Sequence, residues 1–167
     1  PAVGAASEWA HSPVSLGDWS GLLQSPLIRF GQIGILGGSG FMLAGLGGAT
    51  GVLAFFFFQM VFMDTAATIP TGSMAERLKF SGFILMGLWV AMFIYPLVGG
   101  WVWGGGWLQN LGRFAGLGNG AVDFAGSGVV HMIGGSLALA GAIVIGPRIG
   151  RFNKDGSANA MPGHNIR

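Results

Sequence analysis

One aspartate and one histidine are the side chains of this sequence best placed to do chemistry. Asp123 stands at the head of a run, Phe124 to Pro147, that carries no charged residue, and His131 lies inside that run. A helix starting near Phe124 rises about 1.5 Å per residue, which puts His131 about 12 Å below its outer end. That is near the midplane of a hydrocarbon core about 30 Å thick. An ionisable group at such depth is costly and marks a pathway or a relay. A neutral imidazole bonded to a neighbouring helix satisfies the same pattern. Ser127, Gly128, Gly134 and Gly135 are its small helical neighbours, and they leave room beside the ring for a second helix or a small ligand. Asp123, Ser127 and His131 fall on one i, i+4 ladder. An aspartate there is a good helix cap, because its oxygens accept the free amide hydrogens of the first turn. Its charge would also favour a cation at the helix mouth.

The aromatic residues divide between two readings. The indole faces of Trp103 and Trp107 attract a cation where water is partly excluded, and equally anchor a helix at the lipid interface. Phe58 and Phe62 lie one helical turn apart, with Gln59 between them, and paired phenylalanines in such a helix serve packing. Asp64 is unusual inside an apolar run. It pairs with another helix, meets a water-filled cavity, or is protonated. Gly134, Ala138, Ala142 and Gly146 form a small-residue stripe that lets another helix approach closely.

These residues need elements that hold them in a bilayer, and the composition supplies them. Of 167 residues, 51% are hydrophobic and 8% charged, against about 25% charged in soluble domains. Mean hydropathy is +0.64. No charge occurs from Phe80 to Gly112, and from Phe30 to Asp64 the only one is Asp64 itself. Apolar runs of this length read as membrane-spanning helices. The fold class expected is therefore all-α, a polytopic membrane helix bundle of about three spans at 52–71, 80–103 and 124–147. Residues 1–51 read as an external loop and 148–167 as a cytoplasmic one. Within 31–51 the many glycines, each costing a helix interior about 0.5–1 kcal/mol, point to a packed loop or short interfacial helix, with a fourth span as the alternative. Arg77 and Lys79 follow the first span, and Arg148, Arg151 and Lys154 follow the third; the rule that basic residues stay inside makes both ends cytoplasmic. Arg148 and Arg151 need no role beyond that topology. The chain starts at Pro1 and ends in loop composition, as a piece of a longer protein would.

Several functions are disfavoured by the same residues. There are no cysteines, hence no disulfide framework or thiolate chemistry. A net charge of +2 is too small for nucleic-acid binding. There is no nucleophile–base pair, phosphate loop or metal-ligand spacing, so no enzyme, cofactor or metal is expected.

Three segments carry a family resemblance. The run Val122-Asp123-Phe124-Ala125-Gly126-Ser127-Gly128-Val129-Val130-His131, continuing to Gly146-Pro147-Arg148, closely resembles the signature of the ammonium transporter (Amt/Mep/Rh) family. Phe58-Gln59, Phe62, Ala66-Ala67-Thr68-Ile69 and Ala75-Glu76-Arg77 resemble a second part of it, and Trp101-Val102-Trp103-Gly104-Gly105-Gly106 a third. The resemblance covers about residues 52 to 167 and implies helices three to five of an eleven-helix protomer that assembles as a homotrimer in the plasma membrane. It implies that His131 is the first of two pore histidines, and that Trp103 and Phe62 recruit the cation outside, Phe62 also belonging to the gate. Phe58 and Gln59 match positions near the external mouth, and Asp123 the acid that organises it. The second histidine, the second gate phenylalanine and the recruiting serine lie on later helices of the family and are not in this chain; Asp64 departs from the neutral residue expected. The function implied is transmembrane passage of ammonium or ammonia, with an ammonium sensor on the same scaffold as the alternative.

Overall fold

The computed structural model describes residues 26–30, 33–37, 41–43 and 50–161. Trp9 and Trp19, the rest of the expected external loop before Pro26, and the tail from Pro162 lie outside the described residues.

Three helical segments are long and apolar enough to cross a membrane: Leu53–Met74, Phe80–Val102 and Ser127–Ile145. At 22, 23 and 19 residues they match the thickness of a hydrocarbon core at about 1.5 Å per residue. They lie near the ranges 52–71, 80–103 and 124–147 expected from the sequence, of which the first contains Asp64 and the other two no charge. The first consists of α1 (Thr50–Thr68) and a short α2 (Thr71–Met74) separated at Pro70. Its threonines do not disrupt it, because their hydroxyls bond back to the helix: Thr65 to the Val61 carbonyl at 3.0 Å and Thr68 to the Thr65 carbonyl at 2.9 Å. Such back-bonding satisfies a hydroxyl that lipid cannot.

The second span runs as α3 (Phe80–Trp89), a π-helical turn (Val90–Ile94) and α4 (Tyr95–Val102). A proline inside a helix lacks a donor and crowds the carbonyl four residues earlier. The wide turn lies immediately before Pro96 and contains Met92, the residue whose carbonyl the ring would meet. The third span opens on a second π-helical turn (Ser127–Met132) and continues as α6 (Ile133–Ile145). It therefore starts three residues later than expected. The cause is Gly126, whose φ of +89° breaks the helix; a Cβ there would stand 2.8 Å from Val130 Cγ2, so only glycine makes this entry. A loop with one short helix, α5 (Leu111–Ala115), joins the second and third spans.

The segment read as a packed loop or short interfacial helix differs. It holds part of an antiparallel hairpin, β1 (Pro26–Phe30) and β2 (Ile33–Gly37), pairing Pro26 with Gly37 and Phe30 with Ile33. Isoleucines alternating with glycine disfavour a helix and tolerate a strand. Trp101 Nε1 donates to the Ile35 carbonyl at 2.9 Å and ties the hairpin to the end of α4. The membrane-crossing part is helical throughout, α-helix interrupted by two π-helical turns.

The core lies where the two π-helical turns meet α1. Val90 and Val129 are fully buried there beside Ala66, Ala67, Val130 and Ile133. Below it, α6 presses on the first span through small residues. A Cβ on Gly134 would lie 2.6 Å from Ile69 Cβ, and one on Gly141 2.4 Å from Met74 Sδ. Ser73 Oγ donates to the Ala138 carbonyl at 3.0 Å. Close approach thus uses Gly134 and Ala138 of the expected stripe, with Gly141 added. At the far end the Arg77 guanidinium donates to the carbonyls of Ser73 and Gly146, and Arg148 pairs with Glu76 at 3.6 Å. These basic residues join helix ends, which is more than the topological role the sequence assigns to Arg148.

Candidate functional site: an aromatic row beside a capped histidine helix

Asp123 is the hub of the site. The first amides of a helix have no partner within it. Here the carboxylate folds over the start of the third span and accepts hydrogen bonds from the amides of Gly126 at 2.8 Å, Gly128 at 2.9 Å and Val129 at 2.7 Å, and from the Ser127 hydroxyl at 3.2 Å. Partial burial pushes its pKa up, but the amide bonds from Val129, Gly126 and Gly128 and the Ser127 hydroxyl outweigh this and hold it below the ordinary carboxylate value. The cap is therefore ionised at neutral pH. Asp123 precedes the helix instead of occupying its first turn, so Asp123, Ser127 and His131 do not form a regular ladder.

Three aromatic rings from two spans stand in a row next to this cap. Phe58 and Phe62 of α1 have centroids 4.5 Å apart, and Phe62 meets Trp103, just after α4, edge to face at 5.8 Å. The Trp103 indole N–H donates to the Asp123 backbone carbonyl at 2.6 Å. Its ring also borders Gly126, where a Cβ would be 3.5 Å from the indole edge. The Gly126 carbonyl accepts the amide hydrogens of Val130 and His131, both at 2.9 Å, and His131 Nδ1 lies 3.3 Å from it. Phe58, Phe62, Trp103, Asp123 and His131 are thus linked by successive contacts through Gly126. The His131 side chain is exposed in this chain. Trp107 does not join the row; it pairs with Trp101 at 5.7 Å.

Gln59 is not in that chain of contacts but borders Trp103 from a neighbouring groove. That groove, of about 570 Å³, lies between α1 and the second span, with Phe55, Phe56, Met60, Tyr95 and Trp103 among its walls. Tyr95, buried at 6% exposure, donates its hydroxyl to Gln59 Oε1 at 2.8 Å. Tyr95 is absent from the residues singled out by sequence. Its signal was nevertheless present: it is the one tyrosine of the chain, set in a charge-free span, and a buried phenol in lipid needs a partner. Asp64 is exposed on α1, and among the described residues its carboxylate has no hydrogen bond or ion pair. No group of His, Cys, Asp and Glu able to hold a metal occurs among the described residues.

Comparison with known proteins decides the family. A family model described as "Ammonium Transporter Family" matches residues 25–167. The chain belongs to the ammonium transporter family. It is 48% identical to ammonium transporter Amt2 of Archaeoglobus fulgidus over 135 residues, covering 80% of this chain and 29% of that protein. It is 40% identical to ammonium transporter 1 member 3 of Solanum lycopersicum over 131 residues, covering 78% of this chain and 28% of that protein. It is 44% identical to ammonium transporter 1 member 2 of Oryza sativa subsp. japonica, over 66% of this chain and 23% of that protein. The chain thus spans less than a third of the length of these curated relatives. No solved structure matches it. These names are those of transporters, not enzymes. With three apolar spans, the chain is part of an integral membrane protein.

Proposed function

We propose that this chain forms the outer mouth and upper pore of a plasma-membrane ammonium transporter, active as a homotrimer of full-length protomers. The observation that carries the proposal is the row Phe58–Phe62–Trp103, set against the helix that bears His131. Ring faces attract a cation most when it is partly desolvated. Ammonium meets Trp103 and Phe62 first and exchanges water for cation–π contact and hydrogen bonds. Asp123 works through its field and through the helix start it fixes, since its oxygens are occupied by amide donors. A bare cation is expensive in an apolar pore, so the proton leaves and neutral ammonia passes the phenylalanines. The His131 imidazole has two ring nitrogens through which it can meet ammonia or take up the departing proton.

Reconstituted vesicles test this. Full-length protein should take up labelled methylammonium in a saturable manner that ammonium inhibits. His131→Ala should reduce selective uptake or alter its proton coupling while the trimer survives on size exclusion. Normal uptake with unchanged coupling in that variant would remove His131 from the pathway.

A further inference from the structure

Tyr95 and Gln59 make a polar pair inside an otherwise apolar groove, and the reading of the mouth above gives Tyr95 no part. Tyr95 belongs to the second span and Gln59 to the first, and they meet at 2.8 Å with the phenol donating to the amide oxygen. Trp103 borders the same groove, so the pair lies beside the ring row. Gln59 sits one residue from Phe58 and one helical turn before Phe62 and Met63.

The chemistry of the Gln59 amide matters for the choice among cations. An ammonium ion donates directional hydrogen bonds and can surrender a proton. A potassium ion does neither, and it needs oxygen lone pairs to replace its water. The amide oxygen of Gln59 is a neutral oxygen of the kind potassium prefers. Its bond to Tyr95 occupies one lone pair and fixes the amide, so that oxygen is a poorer ligand for a desolvated metal cation. Ammonium could use the same oxygen, but its N–H groups can also point at the faces of Trp103 and Phe62, so it depends on that oxygen less than potassium does.

We propose that Tyr95 is a positioning residue for cation selectivity: by holding the Gln59 carbonyl oxygen it withholds an oxygen ligand from potassium at the outer mouth. The proposal rests on the transport reading above, because it assumes that the ring row receives a cation.

The test uses the full-length protein in vesicles and reads a ratio: the potassium concentration that half-inhibits methylammonium uptake, divided by the ammonium concentration that does so. Tyr95→Phe keeps the ring and removes only the donor. It should lower that ratio about tenfold by freeing a carbonyl for potassium. In a Gln59→Leu background, which lacks the oxygen, adding Tyr95→Phe should change the ratio less than about twofold, the non-additivity expected of groups that act as a pair. A purely structural role would lower the maximal uptake rate and leave the ratio alone; that result, or an equal shift in both backgrounds, would overturn the proposal. Titration of tryptophan fluorescence with potassium chloride and ammonium chloride in detergent reads the same ratio without transport. Wild-type protein that fails to take up methylammonium sinks the transport reading, whereas an unmoved fluorescence ratio in Tyr95→Phe sinks the role of Tyr95.

Discussion

Asp123 accepts four hydrogen bonds at the start of one helix, and its backbone carbonyl accepts a fifth from Trp103. Removing the side chain frees three amides at the point where the ring row meets the histidine helix. Asp123→Ala should therefore bring methylammonium uptake to background, while Asp123→Glu, which keeps the charge with a longer reach, retains part of it. Normal uptake by a normally expressed Asp123→Ala protein would contradict both the capping and the mouth role. The pH dependence follows in sign. The folded pKa is lowered, so the stability the cap contributes is fully present above the unfolded value near 3.9 and is lost as pH falls through the lower folded value. Between about pH 5 and pH 8 Asp123 stays ionised, and any change in uptake across that window should persist in Asp123→Asn at its reduced rate. The cap was legible in the sequence, because an aspartate before a charge-free run has few other partners. The contact of Phe62 with Trp103 followed only from the family resemblance, since spacing within one helix says nothing about which ring of another helix it meets.

At the scale of elements, the closest seam lies between the first and third spans. Two glycines there differ in how they resist a side chain. Gly134 faces the β-branched Ile69 at its Cβ, while Gly141 faces the thioether of Met74. A branched side chain held near the backbone yields little, and methionine moves easily. Gly134→Ala should destabilise by about 1–3 kcal/mol, the usual range for overpacking, and Gly141→Ala by less. Thermal unfolding of the full-length protein in detergent would check the order, and a larger loss at Gly141 would refute it. The second and third spans were readable because absence of charge over twenty residues is a strong constraint in lipid, and the first because Asp64 is the lone charge in a long apolar run. The two π-helical turns were not readable, since they answer to Pro96 and to Gly126, whose effects depend on what packs beside them. The hairpin at Pro26–Gly37 escaped for a related reason: glycine-rich sequence weakens a helix without naming its replacement.

At the scale of the whole molecule, three spans leave much apolar surface uncovered, including Phe57, Leu85, Leu139 and Val144, and His131 is exposed with them. A pore needs walls on every side, so residues 1–167 alone should give no specific, saturable methylammonium uptake in vesicles, and such uptake would show that the chain is a complete transport unit. The bond from Tyr95 to Gln59 also bears on how the protein enters the membrane during synthesis. The first span is the least apolar of the three, and it carries Asp64 near its middle, a residue that costs about 2.5–3.5 kcal/mol at a helix centre during insertion. Its threonines are satisfied within their own helix, but the Gln59 oxygen waits for a phenol made some thirty-six residues later. The first span should therefore leave the translocon paired with the second and not alone. Glycosylation-site reporters would show fewer than half of the chains inserted when the first span ends the nascent polypeptide, a higher fraction once the second span follows, and efficient solitary insertion only for Asp64→Leu; complete insertion of the unaltered first span by itself would refute paired entry.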